Sequence, residues 1–127
     1  GEERDVIARN PFEYRAGVWS GPLFVLVDGS SASATEHFAA MLQDNGAALI
    51  VGSKTLGAGQ GYTNGGLPCV LKHSGLTVRM PDSARLRKDG SPEIDGIIPD
   101  LPVEWSEHDD GAERAVKVVA AIDAALR

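Results

Sequence analysis

The sequence predicts an α/β fold, with a buried parallel or mixed sheet, helices packed on it and a helix at the C-terminus. Three patterns carry that prediction. Residues 23–27, Leu-Phe-Val-Leu-Val, and 47–51, Ala-Ala-Leu-Ile-Val, are unbroken apolar runs of strand length, the signature of strands covered on both faces. Between them Phe38, Ala39, Met41 and Leu42 recur at helical spacing, so strand, helix and strand form a βαβ unit. Near the end, Ala112, Val116, Val119 and Ile122 mark the apolar face of a second helix.

Residues 1–20 lack clear periodicity and are punctuated by Asn10-Pro11 and Ser20-Gly21-Pro22, which reads as a connecting arm. The first strand starts at Leu23 and is closed by Asp28-Gly29. A helix then runs from Ser33 to about Asn45, where Asn45-Gly46 supplies a stop, and the second strand covers 47–52. Gly57-Ala58-Gly59-Gln60-Gly61 is too rich in glycine for an element interior and reads as a loop. Residues 69–73 and 76–80 flank Ser74-Gly75, a two-residue connection suited to a β-hairpin. Residues 81–92 read as a polar loop, and Asp109-Asp110 can cap the last helix. The organisation is an arm over 1–20, a core over 21–107 and a C-terminal helix of the same domain over 108–127.

With 127 residues, 43% of them hydrophobic, the chain has the length for one domain with its own core. Its net charge of -6 argues against nucleic acid or an anionic membrane surface as the main partner, because no basic stripe can hold phosphates. Arg85, Arg87 and Lys88 form the local basic cluster and read as a solvated loop. The single cysteine, Cys69, excludes an intrachain disulfide, and its neighbours Leu67, Pro68, Val70 and Leu71 suggest a buried thiol. No apolar stretch reaches the ~18 residues needed to span a bilayer. The opening Gly1-Glu2-Glu3-Arg4-Asp5 is acidic, unlike a signal peptide, and reads as the start of a fragment or processed product.

The chemistry concentrates at Gly29-Ser30-Ser31-Ala32-Ser33-Ala34-Thr35-Glu36, between the first strand and its helix. Ligand sites of parallel sheets lie at this end of the strands. A hydroxyl delivered here can act as a nucleophile whose developing oxyanion faces free backbone N–H groups and the positive end of the helix dipole. Serines are also favoured as helix caps for structural reasons alone, but one cap would suffice where Ser30, Ser31 and Ser33 are crowded together. Local pattern does not choose among the three.

The stretch from Gly21 to Gly61, GPLFVLVDGSSASATEHFAAMLQDNGAALIVGSKTLGAGQG, resembles the catalytic core of the tail-specific, or C-terminal processing, serine peptidases. That family's motif runs from a buried strand through a Ser-Ala-Ser-Ala-Ser/Thr-Glu turn to a helix ending in Gln-Asp-x-Gly, then a strand closing on Val-Gly-x-x-Thr-x-Gly. Gly96-Ile97-Ile98-Pro99-Asp100 is similar to its Gly-Ile/Val-x-Pro-Asp signature, so the resemblance covers roughly 21–103. It implies a ClpP/crotonase-like architecture and a serine endopeptidase that works through an acyl-enzyme, without metal or cofactor. It also implies a peptide or protein substrate, an extracytoplasmic setting, periplasmic or secreted, and room for an oligomer. Residue by residue, it implies Ser33 as nucleophile and Asp44 in a structural or orienting role. The N–H of Ser33 or of Ala34 would then be an oxyanion donor, worth about 2.7–4 kcal/mol.

At one place the chain departs from that pattern. The family's base is a lysine in the middle of a Gly-Lys-Gly loop, and here that position is Ala58, which cannot accept a proton. Tyr62 replaces a glutamine that often follows the lysine, with Gln60 close by as a possible orienting group. Lys54 falls where the family uses no catalytic residue. His37 lies one helical turn after Ser33 but reads as solvent-facing, and His73 and His108 lack motif support. The missing lysine is closer to the tricorn-like and interphotoreceptor-retinoid-binding-protein-like branch. There a histidine upstream of the serine domain is the base, and a glutamate just before the Gly-Val-x-Pro-Asp signature organises the site. Glu93 fits that glutamate better than Asp95 does; the competing reading is a loop carboxylate beside Pro92. The resemblance thus implies that an upstream N-terminal segment, often with a PDZ-like domain, brings the base, and that this fragment alone is inactive. The alternative is a non-catalytic ligand- or peptide-binding domain of the same fold, which Ala58 favours and the intact serine turn and Glu93 oppose. A third reading, an acyl-CoA-binding enzyme of the same superfamily, finds no matching active-site sequence.

Overall fold

A computed structural model describes residues 17–62, 66 and 68–127. Most of the arm expected over 1–20 therefore lies outside the described residues. In chain order the elements are β1 (Phe24–Val27), α1 (Ala34–Asp44), β2 (Leu49–Gly52), β3 (Gln60–Gly61), β4 (Pro68–Val70), β5 (Thr77–Arg79) and β6 (Ser83–Ala84). A 3₁₀ turn at Glu93–Asp95, β7 (Leu101–Pro102) and α2 (Gly111–Ala125) complete them.

The predicted βαβ unit is present. Strands β1, β2 and β7 form a parallel sheet in that order, with Val25 opposite Ile50 and Val27 opposite Gly52. Parallel pairing needs a crossover connection, and α1 supplies it. The helix stops as its sequence predicts: Gly46 takes φ 62°, Gly46 N–H donates to the Gln43 carbonyl and Ala47 N–H to that of Leu42, the paired bonds of a Schellman motif. Val27, Ile50, Ala39, Ala40 and Ile97 make the core between sheet and helix, with Val25 packed against it.

Four expectations about burial are corrected. The inward side of α1 is Glu36, Ala39 and Ala40, whereas Phe38 and Met41 are exposed. Helical periodicity groups residues on a face, but the apolar part of α1 that meets the core is the small pair Ala39 and Ala40. The strands are not covered on both faces, since Leu26 and Leu49 are exposed on the side opposite α1. Helix α2, which does pack against β2 and β7, buries no residue completely and leaves Val116 and Val119 exposed. Cys69 is exposed as well, because its hairpin, β4 with β5, stands clear of the core.

Two loops are more ordered than their composition suggests. Gln60–Gly61 of the glycine-rich segment pairs with Ser83–Ala84 of the polar loop, and Leu86 bridges to Pro92. The hairpin's connection is longer than Ser74-Gly75: Val70 pairs with Thr77, and Leu71 N–H donates to the Leu76 carbonyl across the turn. Asp110 caps α2 as predicted, accepting from the N–H groups of Ala112 and Glu113.

Candidate active site

The serine turn sits where β1 ends and α1 begins, and its three serines are sorted by their bonds. Asp28 Oδ1 accepts from Ser30 N–H (2.9 Å) and from the Ser31 hydroxyl (3.2 Å), so the first half of the turn is closed by its own aspartate. Ser31 also fixes the neighbouring loop, its carbonyl accepting from Leu56 N–H at 3.0 Å. Ser33 is exposed, immediately before α1, at φ 56° and ψ -116°. Among the described residues it is the one non-glycine residue with positive φ. Such a conformation costs about 1–3 kcal/mol, and strain of that kind collects at functional turns that present a side chain.

Glu36 holds this geometry. It is fully buried, and its four hydrogen bonds among the described residues come from the turn and the loop beside it. Oε1 accepts from the Thr55 hydroxyl and Gly57 N–H, both at 2.6 Å, and Oε2 from Ser33 N–H and Ala58 N–H, both at 2.8 Å. Burial by itself would push this carboxyl up, but the bonds from Thr55, Ala58, Gly57 and Ser33 outweigh it and hold it below the ordinary value. Because one carboxylate oxygen binds the amides of both Ser33 and Ala58, the two backbones are brought within reach of each other. Ser33 N–H is thereby engaged, which corrects the expectation that it is free for an oxyanion. Ala34 N–H remains, the first of the α1 amides that have no intrahelical acceptor. The sequence reading leaves Glu36 without a role of its own, although Ser33-x-x-Glu36 is the spacing of a capping box and the bond from Ser33 N–H to the Glu36 carboxylate forms.

Glu93 is the second buried carboxylate, 1% exposed, on the 3₁₀ turn. Two glycines let the Ala58 loop lie directly on that turn. A Cβ on Gly57 would stand 2.4 Å from the Ile94 carbonyl oxygen, and one on Gly59 2.2 Å from the Ile94 nitrogen. Glu93 Oε1 meets His37 Nδ1 at 2.8 Å, whereas Oε2 is buried with no hydrogen-bond partner among the described residues. His37, read from sequence as solvent-facing, is in fact half-exposed and paired across 56 residues. Its place on α1, one turn beyond Ser33, is fixed by its own N–H, which donates to the Ser33 carbonyl at 3.1 Å.

The motif residues farther out brace these elements. Gln43 Nε2 donates to the Ile98 carbonyl (3.0 Å) and to Asp100 Oδ1 (2.9 Å), and Asp100 Oδ2 accepts from Ile50 N–H (2.8 Å), tying helix end, signature loop and β2 together. Asp44 binds Arg87 through both carboxylate oxygens and accepts from Lys88 N–H at 3.0 Å. The Arg87 guanidinium holds the Asp44 carboxyl below the usual range, and Arg87 is paired rather than solvated. Thr55 hydroxyl and Ile97 N–H close the link between the Ala58 loop and the signature at 2.7 Å. Gln60 is exposed in β3, and among the described residues no hydrogen bond joins it to the serine turn. Lys54 is exposed with its Cε against Gly96, and Tyr62, Asp95, His73 and His108 are exposed too.

Comparison with known proteins gives a consistent result. The family profile described as Peptidase family S41 matches residues 2–103. The chain is 58% identical over 38 residues to the carboxyl-terminal-processing protease of Picosynechococcus sp., covering 30% of this chain and 9% of that protein. It is 54% identical over 39 residues to carboxyl-terminal-processing peptidase 3, chloroplastic, of Arabidopsis thaliana, covering 31% and 8%. Among solved structures it is similar to mature CPAF, with a TM-score of 0.58 and 28% identity over 80% of this chain and 19% of that one. The chain thus spans less than a tenth of the curated relatives' length.

Proposed function

The chain belongs to peptidase family S41, and from that membership we propose that it is the catalytic core of a serine endopeptidase in which Ser33 is the nucleophile. The observation that carries this is the conformation of Ser33, exposed at the start of α1 in a strained backbone held by Glu36. Ser33 Oγ attacks the peptide carbonyl as its proton passes to a base. The tetrahedral oxyanion then accepts from Ala34 N–H, the amine leaves with a proton, and water releases the acyl group. Ala58 cannot be the base, so we assign that role to a histidine of an upstream segment, as in the tricorn-like and interphotoreceptor-retinoid-binding-protein-like branch. Glu93 Oε2, buried and without a partner among the described residues, supports this reading, because a carboxylate oxygen enclosed without a donor is costly and an imidazole N–H would satisfy it.

An extracytoplasmic site of action, a peptide or protein substrate, and the division into arm, core and C-terminal helix belong to the same proposal. The test is to treat the full-length protein with a fluorophosphonate probe. Labelling is expected at Ser33 and lost in Ser33→Ala, and labelling that persists in that variant overturns the assignment.

A second reading, a binding domain that no longer cuts, is favoured by Ala58 together with a cavity of about 560 Å³ between the sheet and α2. The cavity reaches the serine turn at Asp28 and Ser30 and is walled by Leu26, Trp105 and Val119. An apolar molecule that copurifies with the full-length protein, alongside absent labelling, would select this reading.

A further inference from the structure

We propose that His37 is a positioning residue for Glu93: it pins one carboxylate oxygen so that the other is held in fixed orientation for the group that activates Ser33. The inference rests on the reading of Ser33 as nucleophile and goes beyond it by giving a role to a residue on α1 itself. The juxtaposition is His37 Nδ1 and Glu93 Oε1 at 2.8 Å, with Glu93 Oε2 buried beside them and without a partner among the described residues.

A glutamate's terminal torsion is broad, so backbone placement alone leaves its two oxygens free to rotate. The backbone of Glu93 is well held: its N–H donates to the Arg85 carbonyl at 3.0 Å, its carbonyl accepts from Gly96 N–H at 2.9 Å, and Gly57 and Gly59 pack bare backbone against the turn. The remaining freedom is that torsion, and His37 removes it. A carboxylate only accepts, so Nδ1 carries the hydrogen, on a ring that is half-exposed as a whole. His37 is in turn anchored to the serine turn, because its N–H binds the Ser33 carbonyl. Nucleophile and carboxylate are therefore referred to one rigid element, the first turns of α1.

The test compares His37→Ala, His37→Asn and His37→Gln in the full-length protein, using turnover of a peptide substrate, Ser33 labelling and thermal stability. An asparagine amide N–H stands about where Nδ1 stands, whereas glutamine projects it farther. His37→Ala is expected to lower kcat about 100-fold with little change in KM, the size of effect that misplacing a reacting group produces. His37→Asn should recover most of that loss and His37→Gln should not. If His37→Asn is as inactive as His37→Ala while Ser33 of the parent protein still labels, the ring is itself the base and the positioning role is wrong. Unchanged kcat in His37→Ala overturns the proposal too. The pair is also read without activity: a downfield Nδ1 proton resonance of His37 should be present in the parent protein and move upfield in Glu93→Gln, where a neutral amide oxygen takes the place of the carboxylate, and its absence from the parent overturns the contact. Loss of labelling in the parent protein would strike the nucleophile assignment and leave this resonance to be decided separately.

Discussion

Two buried glutamates flank the serine turn, and they are built in opposite ways. Glu36 has each carboxylate oxygen filled by two donors, three amides and a hydroxyl in all. Glu93 has one oxygen filled by His37 and one enclosed with no partner among the described residues. A saturated buried carboxylate is a knot, since every group it binds would be orphaned by its loss. A half-filled one has capacity left over for another donor. Glu36 therefore belongs to the architecture that shapes the turn, and Glu93 to the chemistry proposed for it.

The largest expected effect breaks the first half of that contrast. Glu36→Ala strands Ser33, Gly57 and Ala58 N–H and the Thr55 hydroxyl, each worth about 1–3 kcal/mol when left buried and unpaired. Even with water entering the gap, the full-length protein should lose about 3 kcal/mol or more, read from urea denaturation. The same group gives a signed pH dependence. Its folded-state pKa lies below the ordinary 4.5, so its contribution to stability is complete above that value and is lost as the pH falls through the lowered one. Acid titration of the urea midpoint should show this loss in the parent protein, and a midpoint that rises on acidification contradicts the role given to Glu36.

Glu93→Gln should separate rate from stability. The amide can keep an oxygen toward His37, so the fold loses only about 1 kcal/mol, while kcat should fall about 100-fold or more as the carboxylate charge at the site disappears. A variant that unfolds as readily as Glu36→Ala, or that cuts at the parental rate, would erase the distinction between the two glutamates.

Much of this contrast was legible in the sequence, but unevenly. Residues whose roles are local could be read: the strand before the turn, the Gly46 stop, the Asp110 cap and the serine turn itself follow from short-range stereochemistry. Asp44 and Glu93 were legible as members of spaced motifs, though not the partners they hold. The His37–Glu93 pair was hidden because 56 residues separate its members and periodicity makes His37 look like an outward face. Phe38, Met41, Val116 and Val119 mislead for a related reason. Spacing shows that apolar residues share a side, while only the packed neighbour decides whether that side is covered.

The smallest expected effect on the fold sharpens the comparison most. In Ala58→Lys the contacts that matter, Ala58 N–H and Gly57 N–H to Glu36, are backbone bonds and survive the substitution. Ala58 is only half-buried, so stability should change by about 0.5 kcal/mol or less. The new amine would hang from a backbone that shares a carboxylate oxygen with Ser33, and a lysine there can take the hydroxyl proton if its surroundings lower its basicity. Fluorophosphonate labelling of Ser33 should then rise toward alkaline pH and persist in Glu93→Gln, since the lysine bypasses the half-filled carboxylate. If Ala58→Lys folds but labels only while Glu93 is intact, the loop that Glu36 holds does not present position 58 to the serine. The two glutamates would then serve one mechanism rather than two separable ones.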